Sequence, residues 1–228
     1  MIDSKVWNVN VIKDNPVYPF VVIDNWYTQG EESAVWTELD FYSSLPKINV
    51  PRAENTIVSR LEDGTPLGKH YRWYTSSIYN EYGRQFSPIL NCMYKQRTPE
   101  FYNLLKGCQP HYKSFNSTNR DSTLVSYYEE NDHYKPHWDN AHWTMCIWFF
   151  KDPKKFTGGD FTFDEPNIEV KCKHNRAVFF PSCYSHSVSP IKFDKKPIEF
   201  GTGRYTITHF YYTDIEQKYP EEVKKGDN

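Results

Sequence analysis

Cysteine is scarce and odd in number, five in 228 residues, so a full disulfide framework cannot stabilise the fold. The first residues, MIDSKVWNVN, lack a basic segment followed by an apolar one, so no secretory signal is read and a reducing, cytoplasmic compartment is expected. Long apolar runs are also missing. The longest, Trp143 to Phe150, covers about eight residues against the ~20 needed to span a bilayer, which excludes a membrane helix. An excess of positive charge is absent, with 27 Lys and Arg against 29 Asp and Glu and a net charge of -2. That balance gives no field for gripping nucleic acid nonspecifically. What the chain has in quantity is aromatic side chains, at 18%, far above the content of disordered sequences. At this length roughly 70% of the unfolded surface can be buried in one core, so a metal is not needed for stability and any metal serves chemistry.

The run YPFVVIDN (Tyr18 to Asn25) reads as a strand, and Glu31 to Asp40, with Val35, Trp36 and Leu39 at helical spacing, reads as a helix. Ser87-Pro88 and Thr98-Pro99 mark two further helix starts, and Gly107 the end of the second. Leu45 to Tyr74 is loop-rich around one strand-like stretch, Asn55 to Leu61, and is a candidate lid. From Ser122 the chain changes to short β runs: STLVSYY, WTMCIWFF, DFTF, RAVFF and RYTITHFYY. Such strands without intervening helices predict an antiparallel sandwich or barrel. The organisation expected is a single catalytic domain over residues 1–213, with 1–121 as strand, helix and substrate-loop support and 122–213 as the β core. A polar tail is expected over 214–228.

Within HYKPHWDN (His133 to Asn140), His137 and Asp139 stand two apart in an extended segment, so both side chains share one face with Trp138 opposite. His186 follows the strand NRAVFFPS, where antiparallel return can bring it alongside. Two His and one carboxylate form the facial set of non-haem Fe(II) oxygenases, which leaves coordination positions open. In GTGRYTITHFYY, Arg204, Thr206 and Thr208 share a strand face, a cation flanked by hydroxyls and suited to a carboxylate. FTGGDFTF adds a Gly-Gly turn between these motifs. A lone His-x-Asp carries little information; the ordered set His-x-Asp, Gly-Gly, His, Arg carries much more.

Over roughly Ser122 to Tyr212 these motifs resemble the Fe(II)/2-oxoglutarate-dependent dioxygenases, in their prolyl 4-hydroxylase-like branch. The resemblance implies a mainly β fold with N-terminal α-helices around a double-stranded β-helix, jelly-roll or cupin-like. It implies iron held by His137, Asp139 and His186, and 2-oxoglutarate held by Arg204, with Tyr127, Tyr134 and Thr208 as cosubstrate or pocket neighbours. It further implies O2 as a reactant, ascorbate as an accessory reductant, and a prolyl residue of a peptide or protein as substrate. Other peptide residues, a free amino acid or a small metabolite are the alternatives. Arg204 rather than Lys leans towards the oxygen-sensing type. Phe149 stands where that type has a Tyr, so one hydrogen bond to the cosubstrate is expected to be missing. The gap from His186 to Arg204 is long and is expected to be a loop. Packing is the expected role of Trp143 and Trp148, with a dry wall of the pocket as the alternative. Competing readings are a zinc site from Cys172, His174, Cys183 and His186, a nucleic-acid demethylase, which the charge disfavours, and a non-catalytic jelly-roll module.

Overall fold

The computed structural model describes residues 8–12, 18–80, 82–106, 108, 110–195 and 199–214. Its strands are β1 (Asn8–Ile12), β2 (Phe20–Asp24), β3 (Gly68–Lys69), β4 (Tyr71–Tyr74), β5 (Arg120–Tyr128), β6 (His133–His137), β7 (Trp143–Phe149), β8 (Phe156–Thr157), β9 (Phe161–Phe163), β10 (Ile168–Val170), β11 (Arg176–Pro181), β12 (His186–Val188), β13 (Lys192–Phe193) and β14 (Arg204–Tyr212). The α-helices are α1 (Gln29–Ser44), α2 (Thr75–Ile78), α3 (Pro88–Asn91) and α4 (Pro99–Lys106). Strands pair antiparallel into a large sheet ordered β1-β2-β11-β7-β14-β5-β4, a smaller one ordered β10-β9-β12-β6-β3, and the ribbon β13-β8. This is the double-stranded β-helix core with helices added before it.

Alternation along the strands creates two cores from one sheet. On β14 the odd positions Tyr205, Ile207 and Tyr211 join Val35 and Leu39 of α1 and Phe101 and Leu105 of α4 in a cluster behind the large sheet. Even positions of β7, including Cys146 and Trp148, face Phe161 and Phe163 of β9 and Val188 of β12 in a second cluster between the sheets. Both faces of the sheet are thus covered, and every residue of β7 is buried. Helix α1 starts at a capping box, in which the Thr28 hydroxyl accepts from the Glu31 backbone N–H and the Glu31 carboxylate accepts from the Thr28 N–H at 2.8 Å. Ser87 caps α3 by the one-way bond, its hydroxyl accepting from Leu90 N.

The expected β runs of the C-terminal half form as strands. Asn55 to Leu61 does not: it is an irregular segment joined to the next by a single bridge between Arg60 and Pro66, and the strands of this region are β3 and β4. The hydroxyls and β-branched residues of that stretch mimic a strand, but the Arg60 guanidinium takes the carbonyls of Glu54 and Gly64, closing a local turn instead. The insertion between His186 and Arg204 contains β13, which pairs with β8. Gly107 and the segment 215–228, most of the expected tail, lie outside the described residues.

Candidate active site

His137 closes β6 and His186 opens β12, and the two are direct partners in the antiparallel ladder between these strands. Strand pairing therefore supplies the meeting of groups remote in sequence. Asp139 follows two positions after His137, its backbone N–H bonded to the Ser182 carbonyl. His137 Nε2 lies 3.8 Å from Asp139 Oδ1, and His186 Nε2 lies 3.6 Å from Asp139 Oδ2. One donor atom from each falls within 4.8 Å of the others, and among the described residues this is the one group of three or more His, Cys, Asp or Glu so arranged.

Hydrogen bonds fix which nitrogen is presented. Nδ1 of His137 donates to the Lys135 carbonyl at 2.8 Å, and Nδ1 of His186 donates to the Tyr184 carbonyl at 2.9 Å. Both Nε2 lone pairs are thereby left facing the common centre. Burial pushes both imidazoles down to about 4, so at neutral pH they are uncharged donors and their approach to Asp139 is no salt bridge. Burial raises the Asp139 carboxyl, opposed by His137 and by the Thr144 hydroxyl, which donates to Oδ2 at 2.8 Å. A largely enclosed carboxylate between two neutral nitrogen donors lacks a cation, and one divalent ion would satisfy all three. Tyr134 stacks on the His137 ring at 3.5 Å and 11°, and Phe161 on the His186 ring at 5.1 Å and 17°, which holds the rings in place.

The centre opens into a cavity of ≈ 340 Å³ between the two sheets, within the usual size of small-ligand sites. Arg204 lines it and is fully buried. Its Nη1 donates to Thr206 Oγ1 at 2.7 Å, while Nε and Nη2 have no partner. The guanidinium carbon lies 4.9 Å from the Tyr128 ring centroid and 5.5 Å from that of Trp148. A buried cation with two orphaned donors requires a bound anion, and a carboxylate matches its fork. The Gly-Gly turn makes the space: Gly159 has φ +71°, and a Cβ there would meet Arg204 Cδ at 2.8 Å.

Tyr134 and Thr208 line the cavity, as the sequence suggests. Tyr127 does not. It points into the opposite cluster, where its hydroxyl accepts from the N–H groups of Gly201 and Gly203, both at 2.9 Å. The cavity tyrosine of β5 is its neighbour Tyr128, register partner of Arg204; a one-residue step flips the face. The same parity removes Phe149 and Trp143, which pack behind the sheet, and leaves Trp148 as the wall. The supposed missing hydrogen bond at Phe149 therefore falls away. The alternative zinc grouping is not assembled: His174 Nε2 contacts Glu32 at 2.8 Å, its Nδ1 accepts from Phe150 N, and Cys183 is exposed. His70 and Arg72 line the cavity without having been singled out in the sequence. Arg72 lies on the short edge strand β4 and His70 immediately before it, and the signal that could have found them is the alternation His70, Arg72, Tyr74 beside β5.

Two His and one carboxylate on this fold fit the facial donor set of a non-haem iron site. Residues 122–212 match the family model described as the 2OG-Fe(II) oxygenase superfamily. No curated protein matches the chain. Among solved structures it is similar to a Pseudomonas putida prolyl-4-hydroxylase, at 14% identity and a TM-score of 0.56 over 90% of this chain and 98% of that one. It is similar to a prolyl hydroxylase from Trichoplax adhaerens, solved with a hypoxia inducible factor oxygen degradation domain peptide fragment, at 14% identity and TM-score 0.54, covering 85% and 83%. A 2OG-Fe(II) oxygenase family oxidoreductase from Burkholderia pseudomallei gives 12% identity and TM-score 0.52, covering 86% and 85%. These likenesses are of fold. Residues 122–212 thus match a 2OG-Fe(II) oxygenase domain, and the fold of the chain is similar to that of prolyl 4-hydroxylases. The family implies Fe(II) and 2-oxoglutarate.

Proposed function

We propose that this protein is a dioxygenase that hydroxylates a C–H bond of a prolyl residue in a peptide or protein, with conversion of 2-oxoglutarate and O2 to succinate and CO2. His137, Asp139 and His186 would hold Fe(II), and Arg204 the distal carboxylate of 2-oxoglutarate, with Thr206, Thr208 and Tyr128 around it. Bound Fe(II) and 2-oxoglutarate together supply the activation of O2 that no side chain can perform. The chain's own part is to keep two imidazoles neutral, orient both substrates, and exclude water. Trp148 and Phe161 line the dry wall. The single observation that carries the reading is the convergence of two Nε2 atoms and one carboxylate beside an unpaired, buried guanidinium.

Two neighbours in fold being prolyl hydroxylases, one of them solved with a peptide, supports the prolyl substrate. The irregular loop at Ile57 to Ser59 lies at the cavity and would meet the peptide. In this reading the helices of the first 121 residues support the core, and ascorbate acts as an accessory reductant. The five free thiols accord with a reducing compartment. No helix among the described residues is long and apolar enough to cross a membrane. The test is incubation with Fe(II), 2-oxoglutarate, ascorbate and a panel of proline-containing peptides. A gain of one oxygen by mass spectrometry, matched by succinate, supports the proposal. Succinate formation stimulated by a metabolite panel while every peptide stays unmodified rejects the prolyl substrate.

A further inference from the structure

Arg204 is not alone in the cavity. Arg72, on β4, lines the same space and is 4% exposed. Its Nη2 donates to the Ile57 carbonyl, its guanidinium carbon lies 4.7 Å from the Tyr74 ring centroid, and its Nε has no partner. Burial disfavours its charge, and the groups that counter this are Tyr134 and Tyr128 rather than a carboxylate. A guanidinium held out of water in this way is completed by an anion that arrives with a ligand.

That ligand is not the cosubstrate at Arg204. Arg72 pairs with Ser126 of β5, and Ser126 with Thr206 of β14, so two strand spacings, roughly 10 Å, separate the backbones of Arg72 and Thr206. Arg204 lies one inward-facing position further along. Charge points the same way. Among the described lining residues the charged side chains are Arg72, Asp139 and Arg204. A ferrous ion and a dianionic cosubstrate cancel, Asp139 offsets Arg204, and the charge on Arg72 is left over. We propose that Arg72 receives a carboxylate of the primary substrate, so that the residue oxidised is a free amino acid, the C-terminal residue of a peptide, or the neighbour of an acidic side chain. This rests on the hydroxylase reading: a C-terminal or acid-flanked residue narrows its peptide substrate, whereas a free amino acid replaces the peptide and keeps the chemistry.

Anaerobic calorimetric titration of the full chain loaded with Fe(II) and 2-oxoglutarate tests it without turnover. The probes are matched pairs: L-proline and L-prolinamide, a Gly-Pro dipeptide with free and amidated C-terminus, and a blocked Pro-Asp peptide beside its Pro-Asn counterpart. The charged member of at least one pair binds about tenfold or more tightly than its neutral twin, and the pair that responds identifies where the carboxylate sits. Arg72→Gln, which can still donate to the Ile57 carbonyl, abolishes that preference, and Arg72→Lys restores part of it. The Kd for 2-oxoglutarate changes less than about twofold in Arg72→Gln, but by about tenfold or more in Arg204→Gln. Equal binding within every pair, absence of binding by all probes, or a preference that survives in Arg72→Gln overturns the proposal and leaves Arg72 as a clamp on the Ile57 loop. If melting shows Arg72→Gln unfolded, the wild-type pairs and Arg72→Lys decide. Loss of oxygen insertion with the carboxylate preference intact rejects the prolyl reading alone.

Discussion

Arg204 shows how a single side chain declares a ligand. It is fully buried, has one bond to Thr206, and keeps two nitrogens without partners. Arg204→Gln removes the charge and the fork while keeping an amide, so the Kd for 2-oxoglutarate measured by calorimetry should rise by ~1.5–3 kcal/mol, or about ten- to a hundredfold. An unchanged Kd would move the anchor elsewhere. Asp139 contributes the anionic donor between two neutral imidazoles, so Asp139→Ala should eliminate succinate formation and lower Fe(II) retention measured by metal analysis. Turnover at the wild-type rate would contradict its assignment. Both residues were legible in the sequence, Arg204 from the period-2 pattern of its strand and Asp139 from its place two residues after His137. Arg72 and His70 were missed, because β3 and β4 together span six residues, too few for the alternation His70, Arg72, Tyr74 to stand out.

At the scale of elements, β5 and β14 form the longest pairing in the fold, nine residues in continuous register. Parity along that pairing decides which side chain reaches the cavity: Tyr128 and Arg204 on one face, Tyr127 and Tyr205 on the other. Tyr127 still matters to the site, because its hydroxyl satisfies two backbone N–H groups in the turn that leads into Arg204. Tyr127→Phe should lower stability by about 1–3 kcal/mol, since those donors stay buried without an acceptor. Chemical denaturation measures this, and a midpoint equal to wild type would show the turn finding another acceptor. The family resemblance pointed to the right strand but the wrong face, since likeness of motifs does not fix register to one residue.

Over the whole molecule, burial on both faces of the large sheet traps histidines in the neutral form. His209 is fully buried, its Nδ1 2.9 Å from the Thr123 hydroxyl, and burial pushes it from 6.5 down to about 3. Between those values the unfolded chain binds a proton that the native state refuses, so stability falls as pH drops below about 6.5 and is restored above it. The loss should be about 1.4 kcal/mol per pH unit for this histidine. Melting of wild type and His209→Gln from pH 7.5 to 4.5 tests it: the variant should show the shallower decline, and parallel curves would place His209 in contact with water.

The β-rich class, the capped helix starts and the candidate donors His137, Asp139, His186 and Arg204 were written in the sequence, because turn chemistry, alternation and residue type are local properties. Which tyrosine, tryptophan and second arginine share the cavity was decided by tertiary structure alone. The ladder between β6 and β12 sets His137 opposite His186, the ladder between β4 and β5 carries Arg72 onto the face of Arg204, and such register depends on strands that pair across long stretches of chain.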